Sequence, residues 1–485
     1  MSEIASTDRI EPYVWRIAGV VILGMIMSIL DTTIVNVALD TLGRDLHSSL
    51  SQIQWVITGY LLSLAAVIPV TGWAARRFGA KRVYLVSLVL FTIGSTLCGL
   101  ASSATSLVAF RVLQGIGGGM IMPVAQMIMA QVAGPRRMGR VMGVVVMPAM
   151  LAPILGPVIG GIILESLHWS WIFYVNVPIG IVAVILGLRM LPDVDLGKAG
   201  RLDTLGLVLL ATSMPLFVYG LSEIGTRSSF TAPTVVWPIA VSLVLTTIFV
   251  WHALRVERPL LDIRLYANRV FGAASITTFG LGAALFGAMI LVPLYYQQVR
   301  GESVIVTGLL VGPQGLGMLA MAPFNGRLTQ RYGGGRVAIV GVSILCLSTL
   351  PLCFVGANTS ILAISLVLAV RGLGIGLSFM PTMTAAFASL RSDELSDATP
   401  QMNVLQRVGG AIGTAVLAVV LQRAGAHAHS SAELASAFDT AYWWSLGIAA
   451  LSLIPCVVLV RAENPRAKLT RAEAAAESAV EPLGA

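Results

Sequence analysis

Apolar residues run along this chain in stretches of about 20, the length a helix needs to cross ~30 Å of hydrocarbon at 1.5 Å per residue. The stretches fall at 16–37, 52–73, 83–101, 105–130, 138–164, 171–190, 204–221, 236–254, 271–296, 305–329, 336–355, 360–388, 400–421 and 440–461. None shows the strict apolar–polar alternation of a barrel strand, so an outer-membrane type barrel is excluded. The pattern predicts an all-α integral membrane protein with fourteen spans and both termini on one side.

Composition agrees. Of the 485 residues 56% are hydrophobic and only 11% charged, against about 25% charged in soluble domains. In a soluble protein the net charge of +8 would suggest nucleic acid. In a membrane protein the placement of Lys and Arg matters more, because it sets orientation. With the amino terminus inside, about 24 of the 31 basic residues fall in or beside cytoplasmic segments. Among them are Arg76, Arg77, Lys81 and Arg82, then Arg136, Arg137 and Arg140, then Arg327, Arg331 and Arg336. Both termini are therefore expected in the cytoplasm.

The chain repeats itself. Pro69, Gly72, Arg77, Phe78, Gly79 and Arg82 recur as Pro323, Gly326, Arg331, Tyr332, Gly333 and Arg336, each displaced by 254 residues. A looser echo, offset by 260, relates Arg111 and the Gly-rich stretch after it to Arg371 and Gly372–Gly376. Parallel repeats of this kind build transporters from two halves around a midplane site. The expected organisation is a tail (1–15), a six-helix half (16–190), a linker with two additional spans (191–270), a second six-helix half (271–461) and a tail (462–485) expected to be disordered.

Several chemistries drop out. Gly115, Gly117, Gly118 and Gly119 follow no strand and precede no Lys-Ser/Thr, so they form no phosphate loop and no ATP-driven pump is implied. Cys98, Cys346, Cys353 and Cys456 lie singly in apolar runs, and His427 and His429 share a loop without other ligands, so no metal site is expected. No HExxH, GxSxG or paired intramembrane acids mark an enzyme.

Ionisable residues inside spans carry the functional signal, since each costs several kcal/mol in hydrocarbon unless paired or hydrated. Asp31 lies roughly 22 Å up from the inner face and Arg111 roughly 9 Å down from the outer one, so the two nearly share a depth. A carboxylate holds its proton less firmly beside a guanidinium and more firmly in apolar surroundings, so a site alternating between these exchanges protons. A static structural ion pair is the other reading. Gln114, one turn after Arg111, is placed to orient the network. Glu165 ends span 5 as a second protonation site or an exposed end charge. Arg371, near mid-membrane, needs an acid, carbonyls or an anionic ligand, and Arg407, with Asn403 and Gln406, sits in the inner third of span 13.

These residues resemble the major facilitator superfamily in its fourteen-span drug:proton antiporter branch (EmrB/QacA type). Leu30–Leu39, Gln54-Trp55 with Tyr60, Trp169–Phe173 with Asn176–Gly180, Arg111–Gly115, and Ala152 with Gly156-Pro157 and Gly160-Gly161 carry the resemblance over about residues 15–460. It implies a major facilitator fold, two six-helix halves plus two extra central helices, in a bacterial cytoplasmic membrane. It also implies export of amphipathic, cationic or neutral compounds in exchange for protons, without a cofactor. Asp31, Arg111 and Glu165 would couple protons. Asn36, Tyr60, Gln114, Gln126, Gln314, Arg371, Asn403 and Arg407 would line the substrate cavity. Gly72, Arg77, Gly79, Gly156, Pro157, Gly160, Gly161, Gly326, Arg331 and Gly333 would serve gating and helix packing. Small organic substrates, protons and lipids are the expected partners; nucleic acid is not, and nothing indicates a periplasmic adaptor. Two positions depart from the family pattern. Arg76 stands where an acid is usual, putting the acid-dependent latch of that loop in doubt, and Asp40 stands where Pro is usual. A lipid or metabolite exporter of the same fold and a non-transporting membrane receptor are the alternatives.

Overall fold

In the computed structural model the described residues are 11–133, 141, 145, 155–156, 158–193, 200–227, 231–391, 394–426, 428 and 430–463. Most of the predicted span 138–164, including Pro157, lies outside them, as do Arg136, Arg137, Arg140, His427, His429 and the ends of both tails. Among the described residues the structure is helical without strands, and thirteen helices are long and apolar enough to cross a membrane. Residues 158–166 supply the helical end of the remaining span.

The first half comprises α1 (Pro12–Asp45), α2 (Leu50–Val67), α3 (Thr71–Phe78), α4 (Ala80–Gly99), α5 (Ala104–Ala133), α6 (Trp171–Tyr174) and α7 (Asn176–Met190). The additional pair is α8 (Thr204–Arg227) and α9 (Pro233–Arg255). The second half comprises α10 (Arg269–Leu294), α11 (Val304–Tyr332), α12 (Gly334–Thr349), α13 (Ile361–Ala388), α14 (Leu395–Gly425), α15 (Ser431–Leu451) and α16 (Leu453–Ala462). α1 begins earlier than expected because Pro12 occupies the first turn, where its missing N–H has no helical partner to lose. α2 starts at a capping box: Ser49 Oγ accepts from Gln52 N, and Gln52 Oε1 accepts from Ser49 N.

The repeat is visible in backbone geometry. Gly79 breaks the chain between α3 and α4 at φ 88°, and Gly333 breaks it between α11 and α12 at φ 87°. Only Gly adopts such angles without strain, which explains its recurrence at the same point of each half. The Gly-rich stretches are packing surfaces in both halves. On α5, Gly117 lies so close to the Phe91 backbone that a Cβ would sit 2.6 Å from its nitrogen, and on α13 a Cβ at Gly374 would sit 2.7 Å from Leu345 N. Close backbone approach is what holds helices together where lipid removes the hydrophobic drive between them.

The additional pair lies across the seam between the halves, against α2 on one side and α14 on the other. Trp55 of α2 stacks on Tyr219 of α8 at 5.8 Å. Leu221 and Ile224 of α8 pack with Ala415 and Val419 of α14. Ser213 joins the pair internally through Thr246 Oγ1 at 2.6 Å, and Asp203 accepts from the backbone of Gly206 and Leu260 and meets His252 Nε2 at 2.8 Å.

At the end of the bundle carrying Arg76 and Arg331, here called the basic end, the two halves are joined by polar contacts. Arg76 Nη1 lies 2.8 Å from Asp397 Oδ1 and donates to Ser396 Oγ at 2.5 Å. Gly72 abuts the Ser396 carbonyl and the Pro400 ring. One turn further in, Asn403 Nδ2 donates to Gln126 Oε1 at 2.7 Å, with both residues buried. The acid expected in this loop is replaced by a cation, and the other half presents an acid to meet it.

Reversing one charge of this pair should open the basic end. In a background without the four native Cys, Arg76→Glu should speed alkylation of Asn403→Cys several-fold, and adding Asp397→Arg should slow it again. An unchanged rate in Arg76→Glu would mean that the ion pair does not hold the halves together.

Candidate functional site

Five helices of the first half bring polar side chains to one point inside the bundle. α1 supplies Asp31, α2 supplies Tyr60 and the Val56 carbonyl, and α4 supplies Ser95 and Cys98. α5 supplies Arg111 and, one turn on, Gln114; the first residue of α7 is Asn176. A tilt of any of these helices would separate the group. The small residues on α4 and α5 set their spacing: a Cβ on Gly94 would meet the Gln114 backbone.

Arg111 Nη1 donates to Asp31 Oδ2 at 2.5 Å, and the side chains are 1% and 0% exposed. Gln114 Nε2 and Asn176 Nδ2 both donate to Asp31 Oδ1, at 2.8 and 3.0 Å. The guanidinium also donates through Nη1 to Gln114 Oε1 at 2.8 Å and through Nε to the Val56 carbonyl at 3.1 Å. Its carbon stands 4.1 Å from the Tyr60 ring centroid and 5.8 Å from that of Phe173. Asn176 Nδ2 reaches Ser95 Oγ at 3.0 Å, Ser95 donates to the Phe173 carbonyl, and Cys98 Sγ lies 3.5 Å from Gln114 Oε1. Taking two charges out of water is costly, and good geometry with further hydrogen bonds is what offsets it. Here the carboxylate has donors on both oxygens and the cation lies against an aromatic face.

The equal depths of Asp31 and Arg111, expected from residue counting, correspond to direct contact. Asn176 and Ser95 were not expected at the site. Asn176 stands at a helix start, where an amide side chain reads as a cap, and only its place in the Trp169–Gly180 motif marked it. Tyr60 and Gln114, expected to line a cavity, are fully buried in this network. Gln126 and Asn403 face each other across the halves, and Asn36 is exposed. Glu165 is exposed at the end of 158–166, apart from the charged cluster.

The second half contains the counterpart of Arg111 without a counterpart of Asp31. Arg371, 1% exposed, donates through Nε to Thr349 Oγ1 at 3.3 Å and through Nη1 to Gln314 Oε1 at 3.2 Å. Both acceptors are neutral. Arg407 is half-buried. Gly156 and Gly160 pack on Thr33 and Ile34 of α1, and Gly161 touches Ile305 of α11. Gly72 and Gly326 are buried, whereas Arg77 and Arg331 are exposed at the basic end, Arg331 5.3 Å from the Tyr332 ring. Among the described residues no group of His, Cys, Asp and Glu is arranged to hold a metal, and all four Cys are free.

Two repeated helical halves, a charged pair sealed inside one of them and polar contacts between them define a membrane transporter. Residues 21–414 match the family model of the Major Facilitator Superfamily, and the chain belongs to that superfamily. It is 38% identical over 417 residues to the multidrug resistance protein B homolog of Mycobacterium tuberculosis, covering 85% of this chain and 77% of that one. With the multidrug export protein EmrB of Haemophilus influenzae it shares 32% identity over 398 residues, 81% and 78% of the two chains. Its fold is similar to the crystal structure of the human organic anion transporter MFSD10 (TETRAN), with a TM-score of 0.63 over 92% of this chain and 100% of that one at 16% identity.

Removing one member of the buried pair leaves the other charge uncompensated, at a cost of about 3–5 kcal/mol. Arg111→Leu should therefore lower the thermal unfolding temperature in detergent by several degrees, and Asp31→Asn should recover part of the loss when combined with it. Additive losses in the double variant would show that the two charges do not stabilise each other.

Proposed function

We propose that the chain is a proton-coupled exporter of amphipathic organic compounds that works by alternating access in a bacterial cytoplasmic membrane. The observation that carries the reading is the dry Asp31–Arg111 pair, whose acid has a neutralising partner and hydrogen-bond donors on both oxygens. A proton arriving on Asp31 releases its hold on Arg111 and removes the charge that ties α1 to α5. Loss of that proton restores the pair. A carboxylate whose surroundings differ between two facing states takes up protons in one and returns them in the other.

The energetics suffice for uphill export. Each positive charge carried inward at 100 mV releases ~2.3 kcal/mol, enough to bias the substrate gradient nearly fiftyfold with tight one-to-one coupling. The multidrug names of the relatives support varied organic cargo. The bias of Lys and Arg supports a cytoplasmic basic end and cytoplasmic termini.

Asp31→Asn keeps the shape of the side chain and fixes it neutral. In proteoliposomes it should abolish substrate accumulation against a gradient while downhill exchange persists. Accumulation at the unaltered rate would make Asp31 structural and move attention to Glu165. Orientation has a separate test in intact cells. In the Cys-free background, Ser431→Cys should react with an impermeant maleimide from outside, and Arg82→Cys should react only after the membrane is opened. Reaction of both from outside would overturn the orientation.

A further inference from the structure

The seal between the halves gives Arg407 a defined place. Asn403, on α14, faces the first half, because its amide reaches Gln126 of α5. Residues i and i+4 of a helix share a face, so Arg407 lies above Asn403, about 6 Å further from the basic end. It stands on the central side of that contact, between the halves. Arg407 is half-buried, and among the described residues it forms no hydrogen bond or ion pair. A guanidinium has five donors and keeps its charge, so inside a membrane it is either hydrated or given a partner, and a ligand that enters can take the place of that water.

Among the described residues no acid pairs with Arg407, although the spans also carry Glu223 on α8 and the half-buried Asp439 on α15. Asp31 is closed off with Arg111, and Asp397 is held by Arg76 at the basic end. Glu165 stands exposed at the end of its span. Arg371 adds a second positive charge to the same half, held by neutral groups alone. A cationic compound entering between the halves would therefore meet uncompensated positive charge. An anionic one would complete the coordination of Arg407.

We infer that Arg407 anchors the anionic head of the cargo, a sulfonate or carboxylate on an aromatic or aliphatic body, so that organic anions are preferred to cations. This reverses the charge expected from family resemblance, and it rests on the exporter reading above only for what happens after binding. Arg is suited to the task because its planar fork meets two oxygens of such a group at once.

The test uses the purified full-length chain and three probes: anilinonaphthalene sulfonate, phenylnaphthylamine, which is the same skeleton without the sulfonate, and ethidium as the cation. In proton-driven proteoliposomes the wild type should favour the sulfonate over its parent. Arg407→Gln should lower the sulfonate-to-parent ratio of kcat/KM about tenfold, the effect of losing one charge-assisted contact. Arg407→Lys should lower it less, and Arg407→Glu should shift preference to ethidium. Calorimetric binding of the sulfonate to the same monodisperse proteins should weaken about tenfold in Arg407→Gln. An equal ratio and equal binding in wild type and Arg407→Gln would overturn the anchor and leave the exporter standing. Weakened binding in Arg407→Gln without proton-driven movement of any probe would overturn the exporter and leave the anchor.

Discussion

A charge placed in hydrocarbon must be paired, hydrated or neutralised, and the first half of this protein is organised around one such pair. Asp31 and Arg111 come from different helices, their amide partners Gln114 and Asn176 come from α5 and α7, and the platform under the guanidinium comes from α2. Each of these helices is therefore bound to a common point by directional contacts. Apolar packing alone tolerates sliding of one helix along another, whereas an ion pair with shared amides does not. The cost is that losing one member leaves the other charge buried and uncompensated.

Around that point the packing is made by small residues. The Gly positions of α4, α5, α12 and α13 allow backbones to touch in both halves. Among the described residues the contacts between the halves include one ion pair with an adjoining hydrogen bond, one amide–amide hydrogen bond, small residues at the basic end, and an apolar cluster in which Met127 of one half and Met402 of the other are buried. The Arg76–Asp397 pair is partly exposed, and such pairs are of modest strength, whereas the Asn403–Gln126 contact is buried.

Much of this was legible in the chain. Span length follows from what lipid demands of any sequence, the 254-residue repeat reappears in the matching backbone breaks at Gly79 and Gly333, and the nearly equal depths of Asp31 and Arg111 needed only helical rise. Contacts between distant segments were not legible. Nothing local marks Asn176 as a partner of Asp31 instead of a helix cap. Arg76 read as the loss of a latch because its partner, Asp397, lies 321 positions away and only the fold brings the two together. The burial of Tyr60 was missed for the same reason, since a tyrosine near a helix midpoint suits a cavity wall and a buried cation equally well.

Two similar halves facing each other would ordinarily leave two equivalent clefts open to the lipid, one on each flank. Here α8 and α9 cover one of them, clasping α2 through the Trp55–Tyr219 stack and α14 through Ala415 and Val419. On the other flank the halves meet directly, where Gly161 touches Ile305. The molecule thereby acquires a front and a back. A compound dissolved in the bilayer meets a covered surface at the back, and any swing of the halves must either stretch the clasp there or turn about it as a hinge.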